Sequence, residues 1–157
     1  MNSMFNQIML NIKRGYYRYI GSGSSRDVFD LGNGYVIKVA KNRAGIAQNK
    51  SEYNISYYDN SSLFAKVVAV SNKFNLLIME KADKIYNISY VWKYFNVKDK
   101  KGSFSLEQLS YILRHYNLLL NDLKKESSWG MINGRFVIID YGFTREVHTR
   151  YYKSFYR

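Results

Sequence analysis

The stretch Tyr19–Asn42, "YIGSGSSRDVFDLGNGYVIKVAKN", carries the most information about the fold. Two glycines among serines follow an apolar, aromatic run. A β-rich segment, Val28–Leu31, then reaches a Gly-Asn-Gly turn and continues as Tyr35–Ala40, which predicts a hairpin. Lys38 lies inside the second strand, between Ile37 and Val39. Alternation along a strand turns it away from both neighbours, and a lysine held inside a sheet needs an anion. On its own the glycine loop is an ordinary turn. Combined with a lysine in the next strand it describes a place to hold phosphate, because Gly21 and Gly23 let the backbone approach oxygen atoms closely.

The residues around this stretch narrow the reading. Residues 4–12 have helical spacing, and "YYRYIGSG" reads as a strand entering the loop. "AGIAQNKSEYNISYY" predicts a helix with Ile46, Asn49 or Lys50, Tyr53 and Tyr57 along one side, and Glu52 is placed on that helix. "LFAKVVAVSNKFNLLIME" predicts a second hairpin turning at Ser71–Lys73. After a mixed region, Ser105 and Gln108 form a capping box opening one long helix with Leu106, Leu109, Ile112, Leu113, Tyr116, Leu119, Leu120 and Leu123 on its apolar face. "MINGRFVIIDYG" follows as a hairpin turning at Asn133-Gly134 and running to Asp140. This order predicts an α+β protein with a strand-rich first half.

Composition limits the classes of function. The chain has 157 residues, enough for a core, with 46% hydrophobic and 23% charged residues. There is no cysteine, and His115 and His148 are far apart, so neither a disulfide nor a zinc site is expected. No apolar run reaches the roughly 20 residues needed to span a bilayer, and the first residues do not read as a signal peptide. A cytoplasmic protein with no membrane association is expected. The net charge of +12 favours an acidic partner: nucleotide, an acidic protein, or nucleic acid. The end of the chain, "TREVHTRYYKSFYR", sets Arg145, Arg150, Lys153 and Arg157 among aromatics. It reads as a basic helix packing its rings on the core, in preference to a nucleic-acid surface.

The ordered set resembles the protein kinase-like family. "GSGSSRDVF" matches the glycine-rich loop and "VIKVA" the lysine strand. "SEYNIS" matches the helix bearing the lysine's acidic partner, "LLIME" the strand entering the hinge, and "VIIDYGFT" the Asp-Phe-Gly segment. The resemblance runs from about Tyr19 to Thr144 and is closest to compact kinase-like proteins of bacteria and their phages. It implies one domain with a β-rich N-terminal lobe at about 15–81, carrying one helix, and a reduced, mainly helical C-terminal lobe at about 82–157. If the chain is phage-encoded, it would act in the host cytoplasm.

The resemblance also implies roles. Gly21, Ser22, Gly23, Ser24, Ser25, Lys38 and Glu80 would bind ATP, with Glu52 as partner of Lys38, and Asp140 would hold Mg2+. The catalytic loop departs from the pattern, since there is no His-Arg-Asp triplet. In "LNDLKKESSWG", Asp122 lies eighteen residues before Asp140 and would orient the acceptor hydroxyl, which makes the second metal ligand Ser127 in place of asparagine. Counting back from "WG" gives Glu126 and Ser128 instead. Only fifteen residues follow Gly142, too few for the family's peptide-holding helices. Three functions fit. The first is an ATP-dependent phosphotransferase acting on a hydroxyl, of a host protein or a small molecule. The second is a pseudokinase that works by binding nucleotide or a partner, and the third is a basic nucleic-acid binder on the same scaffold.

Overall fold

The computed structural model describes residues 3–95 and 107–152. They fall into two compact units, one of residues up to Asp59 with Ala65–Lys81, the other of Asn60–Phe64 with residues from Ala82 onward.

The first unit is a five-stranded antiparallel sheet between two helices. Its strands are β1 (Arg18–Ser22), β2 (Arg26–Asp30), β3 (Tyr35–Ala40), β4 (Val67–Val70) and β5 (Leu76–Glu80), in the order β1-β2-β3-β5-β4. Both hairpins form where the sequence places them. Alternation along the strands divides the side chains between two faces. Ile37, Leu76 and Ile78 pack with Phe5 and Ile8 of α1 (Ser3–Lys13). Lys38 points to the opposite face, where α2 (Arg43–Tyr58) lies.

Helix α2 starts where Asn42 caps it, its side chain accepting from the Gly45 amide at 3.0 Å. The buried face differs from the expected one. Tyr57 is 70% exposed, and the helix buries Gly45, Gln48, Asn49, Glu52 and Ile55. Most of that face is polar, so apolar periodicity points to the wrong side. These polar groups find their partners on the sheet and loops beneath (below). Gly45 permits the close approach, because a Cβ there would lie 2.2 Å from the Ser25 carbonyl oxygen.

The second unit has a small antiparallel sheet, β6 (Asp83–Lys84), β7 (Trp129–Ile132) and β8 (Arg135–Ile138), in that order. Asn133 (φ 50°) and Gly134 (φ 77°) make the expected turn between β7 and β8. Its helices are α3 (Ile88–Tyr94), α4 (Glu107–His115), α5 (Leu120–Leu123) and α6 (Arg145–Tyr151). Trp129, Val137 and Ile138 lie in its core with Val91, Leu109 and Ile112.

The long helix expected from residue 105 to 123 is two helices. The last α4 bond runs from the Tyr116 amide to the Ile112 carbonyl, and Asn117 then adopts φ 53°. Asparagine tolerates this left-handed geometry better than most residues and commonly ends helices there. The break lets Leu118 bridge to Thr144, while the Arg145 amide donates to the Asn117 carbonyl at 2.9 Å. Ser105, the expected cap, lies outside the described residues, as do Lys153 and Arg157 of the basic tail. Arg145 and Arg150 lie on α6, which buries Val147. No described helix is long and apolar enough to cross a membrane.

Candidate functional site

In the first unit the glycine loop joins β1 to β2. The Gly23 amide donates to the Arg26 carbonyl at 2.9 Å, closing the turn. Neither Gly21 nor Gly23 has positive φ, and a Cβ on either would meet no atom within 4 Å. The fold itself therefore does not require glycine at these positions, and the space above them is open. The loop is held from below. Lys41 Nζ donates to Ser22 Oγ at 2.8 Å and to the Gly23 carbonyl at 2.7 Å. Gln48 Nε2 donates to the buried Ser25 Oγ at 2.9 Å, and Ser24 Oγ lies 3.4 Å from Ser25 Oγ.

Lys38 and Glu52 meet, as their pattern suggested. Lys38 Nζ lies 2.9 and 3.1 Å from the two carboxylate oxygens of Glu52, which is fully buried. A second cation shares the carboxylate. Arg26 donates to Glu52 through Nη1 at 2.8 Å and Nη2 at 3.0 Å, and Nη1 also reaches Asn49 Oδ1 at 3.0 Å. Burial alone would raise the pKa of Glu52. Arg26 and Lys38 overcome that and hold it at about 2, well below the usual carboxylate range. Sequence reasoning missed Arg26. It starts β2 on the sheet face shared by Lys38, since Arg26 pairs with Ala40 and Val28 with Lys38, a register that only the folded sheet reveals. Glu80 ends β5, and its carboxylate accepts the Lys66 amide at 3.0 Å.

In the second unit Asp122 lies on α5, and Asp140 follows the end of β8 after one intervening residue, Ile139. The two carboxylates line one small hollow with Leu118, Leu119, Leu123, Tyr141 and Phe143. Its cavity of about 10 Å³ is near the lower limit for one water-sized species. Burial raises the Asp122 pKa, the neighbouring charge of Asp140 adds to the rise, and Lys125, 3.3 Å away, opposes it. The antiparallel register pairs Trp129 with Ile138, and the Ile139 amide donates to the Ser128 carbonyl at 2.8 Å. Ser127 is exposed on a short 3-10 turn, Glu126–Ser128, while Ser128 is buried. Glu126 is exposed and does not line the hollow. Of the two candidate acids Asp122 lines the hollow, and neither Ser127 nor Ser128 does.

Among the described residues no three histidine, aspartate or glutamate side chains cluster as metal ligands. Magnesium does not require such a cage. It keeps several waters and takes one or two carboxylates together with substrate phosphates. An exposed Asp140 beside Asp122 fits that donor set.

No protein-family model matches this chain, and no curated protein does. Similar solved structures include a streptomycin–ATP–APH(2'')-IIa ternary complex, at 17% identity and TM-score 0.47, over 90% of this chain and 71% of that one. Another is the ADP-bound aminoglycoside phosphotransferase APH(2'')-Ib, at 19% identity and TM-score 0.47, over 90% and 71% of the two chains. A third is SAICAR-synthase from Saccharomyces cerevisiae complexed with SAICAR, at 12% identity and TM-score 0.43, over 84% and 75%. Each is a partial likeness of fold. The chain itself is α+β: one unit has a five-stranded sheet with a glycine loop and a strand lysine paired with a helix glutamate, and the other has an aspartate shortly after a β-strand.

Proposed function

We propose that the protein is an ATP-dependent phosphotransferase that moves the γ-phosphate of ATP to a hydroxyl acceptor. The observation that supports this best is the buried Lys38–Glu52 pair beside a glycine loop with open space above it. Lys38 and the loop amides would hold phosphate oxygens. Asp140, with Ser127 in the role the resemblance gives it, would hold magnesium, which neutralises charge on the phosphates when bound. Asp122 would accept the proton of the acceptor hydroxyl. The acceptor oxygen then bonds to the γ-phosphorus, the bond from that phosphorus to the bridging oxygen breaks, and ADP leaves. Positioning and charge neutralisation account for most of the catalysis in such reactions.

The acceptor is a serine or threonine hydroxyl of a protein, or a small molecule, and the net charge of +12 favours an acidic one. The serine at position 127 favours a second reading, a pseudokinase that binds nucleotide without turnover, because a neutral hydroxyl is a weaker magnesium ligand than the family's asparagine.

The test is twofold. Mg-ATP should raise the melting temperature, by an amount equivalent to about 2.7 kcal/mol at a hundredfold excess over Kd. Labelled γ-phosphate should then appear on an acceptor in a host lysate or on the protein itself. Binding without any labelled acceptor would select the pseudokinase, and no response to ATP would sink both. Asp140→Asn should leave the fold intact, because Asp140 is exposed. It should also remove the magnesium-dependent part of the ATP stabilisation. A variant that unfolds would make Asp140 a structural turn residue.

A further inference from the structure

Counting from Gly21, residue 26 stands where a G-x-G-x-x-G loop has its third glycine. Here the position holds an arginine that is only 6% exposed and turned under the sheet toward α2. A carboxylate offers about four acceptor sites. The four bonds from Arg26 and Lys38 to Glu52, at 2.8, 3.0, 2.9 and 3.1 Å, match that number. The two cations differ in how they are held. Arg26 grips both oxygens through its planar fork and is braced by Asn49, one turn earlier on α2. Asn49 is itself anchored by its Nδ2 donation to the Phe74 carbonyl at 2.8 Å. Lys38 is a flexible point charge.

A carboxylate buried this deeply cannot stay ionised without a cation. With lysine as its only partner, drawing the ammonium toward a phosphate would weaken the one contact that keeps the acid charged. We propose that Arg26 is a positioning residue that keeps Glu52 charged and α2 seated independently of Lys38. Lys38 is thereby free to turn its bonds to a nucleotide phosphate. The nucleotide part of this inference rests on the phosphotransferase reading. The holding part is a property of the first unit and is testable without ligand.

Thermal melts of the whole chain without nucleotide test the holding role. Lys38→Met should melt within about 5 °C of the parent, because Arg26 still pairs with Glu52. The Arg26→Met/Lys38→Met double variant should lose far more than the sum of the single losses, by about 10 °C or more, or fail to fold. Adding Glu52→Leu to the double variant removes the last buried charge and should restore folding. Additive losses would overturn the proposal, and so would a triple variant that stays unfolded, because the loss would then be one of packing.

Mg-ATP titration supplies the readout that a purely structural arginine would not move. Arg26→Met should weaken binding about tenfold, and Arg26→Lys should recover part of it. Unchanged affinity in Arg26→Met would overturn the link to Lys38. If the parent protein binds no Mg-ATP, the phosphotransferase reading fails on its own, and the melts alone decide what Arg26 does.

Discussion

Glu52→Gln is expected to lower the melting temperature by about 10 °C or more, corresponding to roughly 3–5 kcal/mol. The change removes one negative charge and leaves Arg26 and Lys38, both almost fully buried, facing a neutral amide. The amide nitrogen would also present donors to donors, so two of the four bonds are lost outright. Denaturant or thermal unfolding measures the effect, and a loss below about 1 kcal/mol would mean that water reaches the cluster. Acid should reproduce the loss in the parent protein. The folded pKa of Glu52, about 2, is depressed from 4.5, so the folded state binds fewer protons than the unfolded one. Its contribution is complete above the unfolded value and disappears as pH falls from 4.5 toward 2, a change on the order of 3 kcal/mol. Glu52→Gln should lack that part of the acid transition.

Asp122→Ala should slow phosphate transfer by about 10²–10⁴-fold while leaving Mg-ATP stabilisation in place. Asp122 sits on a one-turn helix, half-buried beside Asp140, and its pKa is raised above the ordinary 3.8, chiefly by burial. A proton acceptor must be ionised to work. Transfer should therefore rise with pH through an acid limb lying above the ordinary aspartate value, and Asp122→Asn should erase both limb and activity. Transfer kinetics with labelled ATP across pH provide the check. If Glu126→Ala abolishes transfer and Asp122→Ala does not, the role given to Asp122 is wrong.

The legible parts of this protein were the local ones. Asn133-Gly134 announces its turn because few residue pairs accept positive φ twice, and the structure has both. Lys38 and Glu52 could be paired in advance through the resemblance to the kinase-like family, which implies their contact. Three features could not be read. Arg26 meets Glu52 across 26 residues, and nothing in a strand-initial arginine reveals which helix lies under it. The buried side of α2 is polar, so the usual guide, apolar spacing, led to Tyr57 and to solvent. The break at Asn117 interrupts an otherwise continuous leucine pattern. One left-handed residue turns the chain there, and that choice is repaid only by distant bonds to Thr144 and Arg145.

The polar underside of α2 also bears on the order of folding. Non-specific collapse gathers apolar surface first, and among its buried residues α2 offers a single large apolar side chain, Ile55. Helix α1 is different, since Phe5 and Ile8 join the sheet's apolar cluster. The α1 side of the sheet can therefore condense early, whereas α2 gains little until Arg26, Lys38, the Ser25 hydroxyl and the Phe74 carbonyl are already in place to receive its glutamate and amides. Mutations at Gln48, Asn49 and Glu52 should then act mainly on the unfolding rate, with φ-values near zero, while Phe5 and Ile37 carry the higher ones. A nucleus containing α2 would show the reverse. On this kinetic ordering, the charged cluster is the last lock to close on the first unit and the first to open.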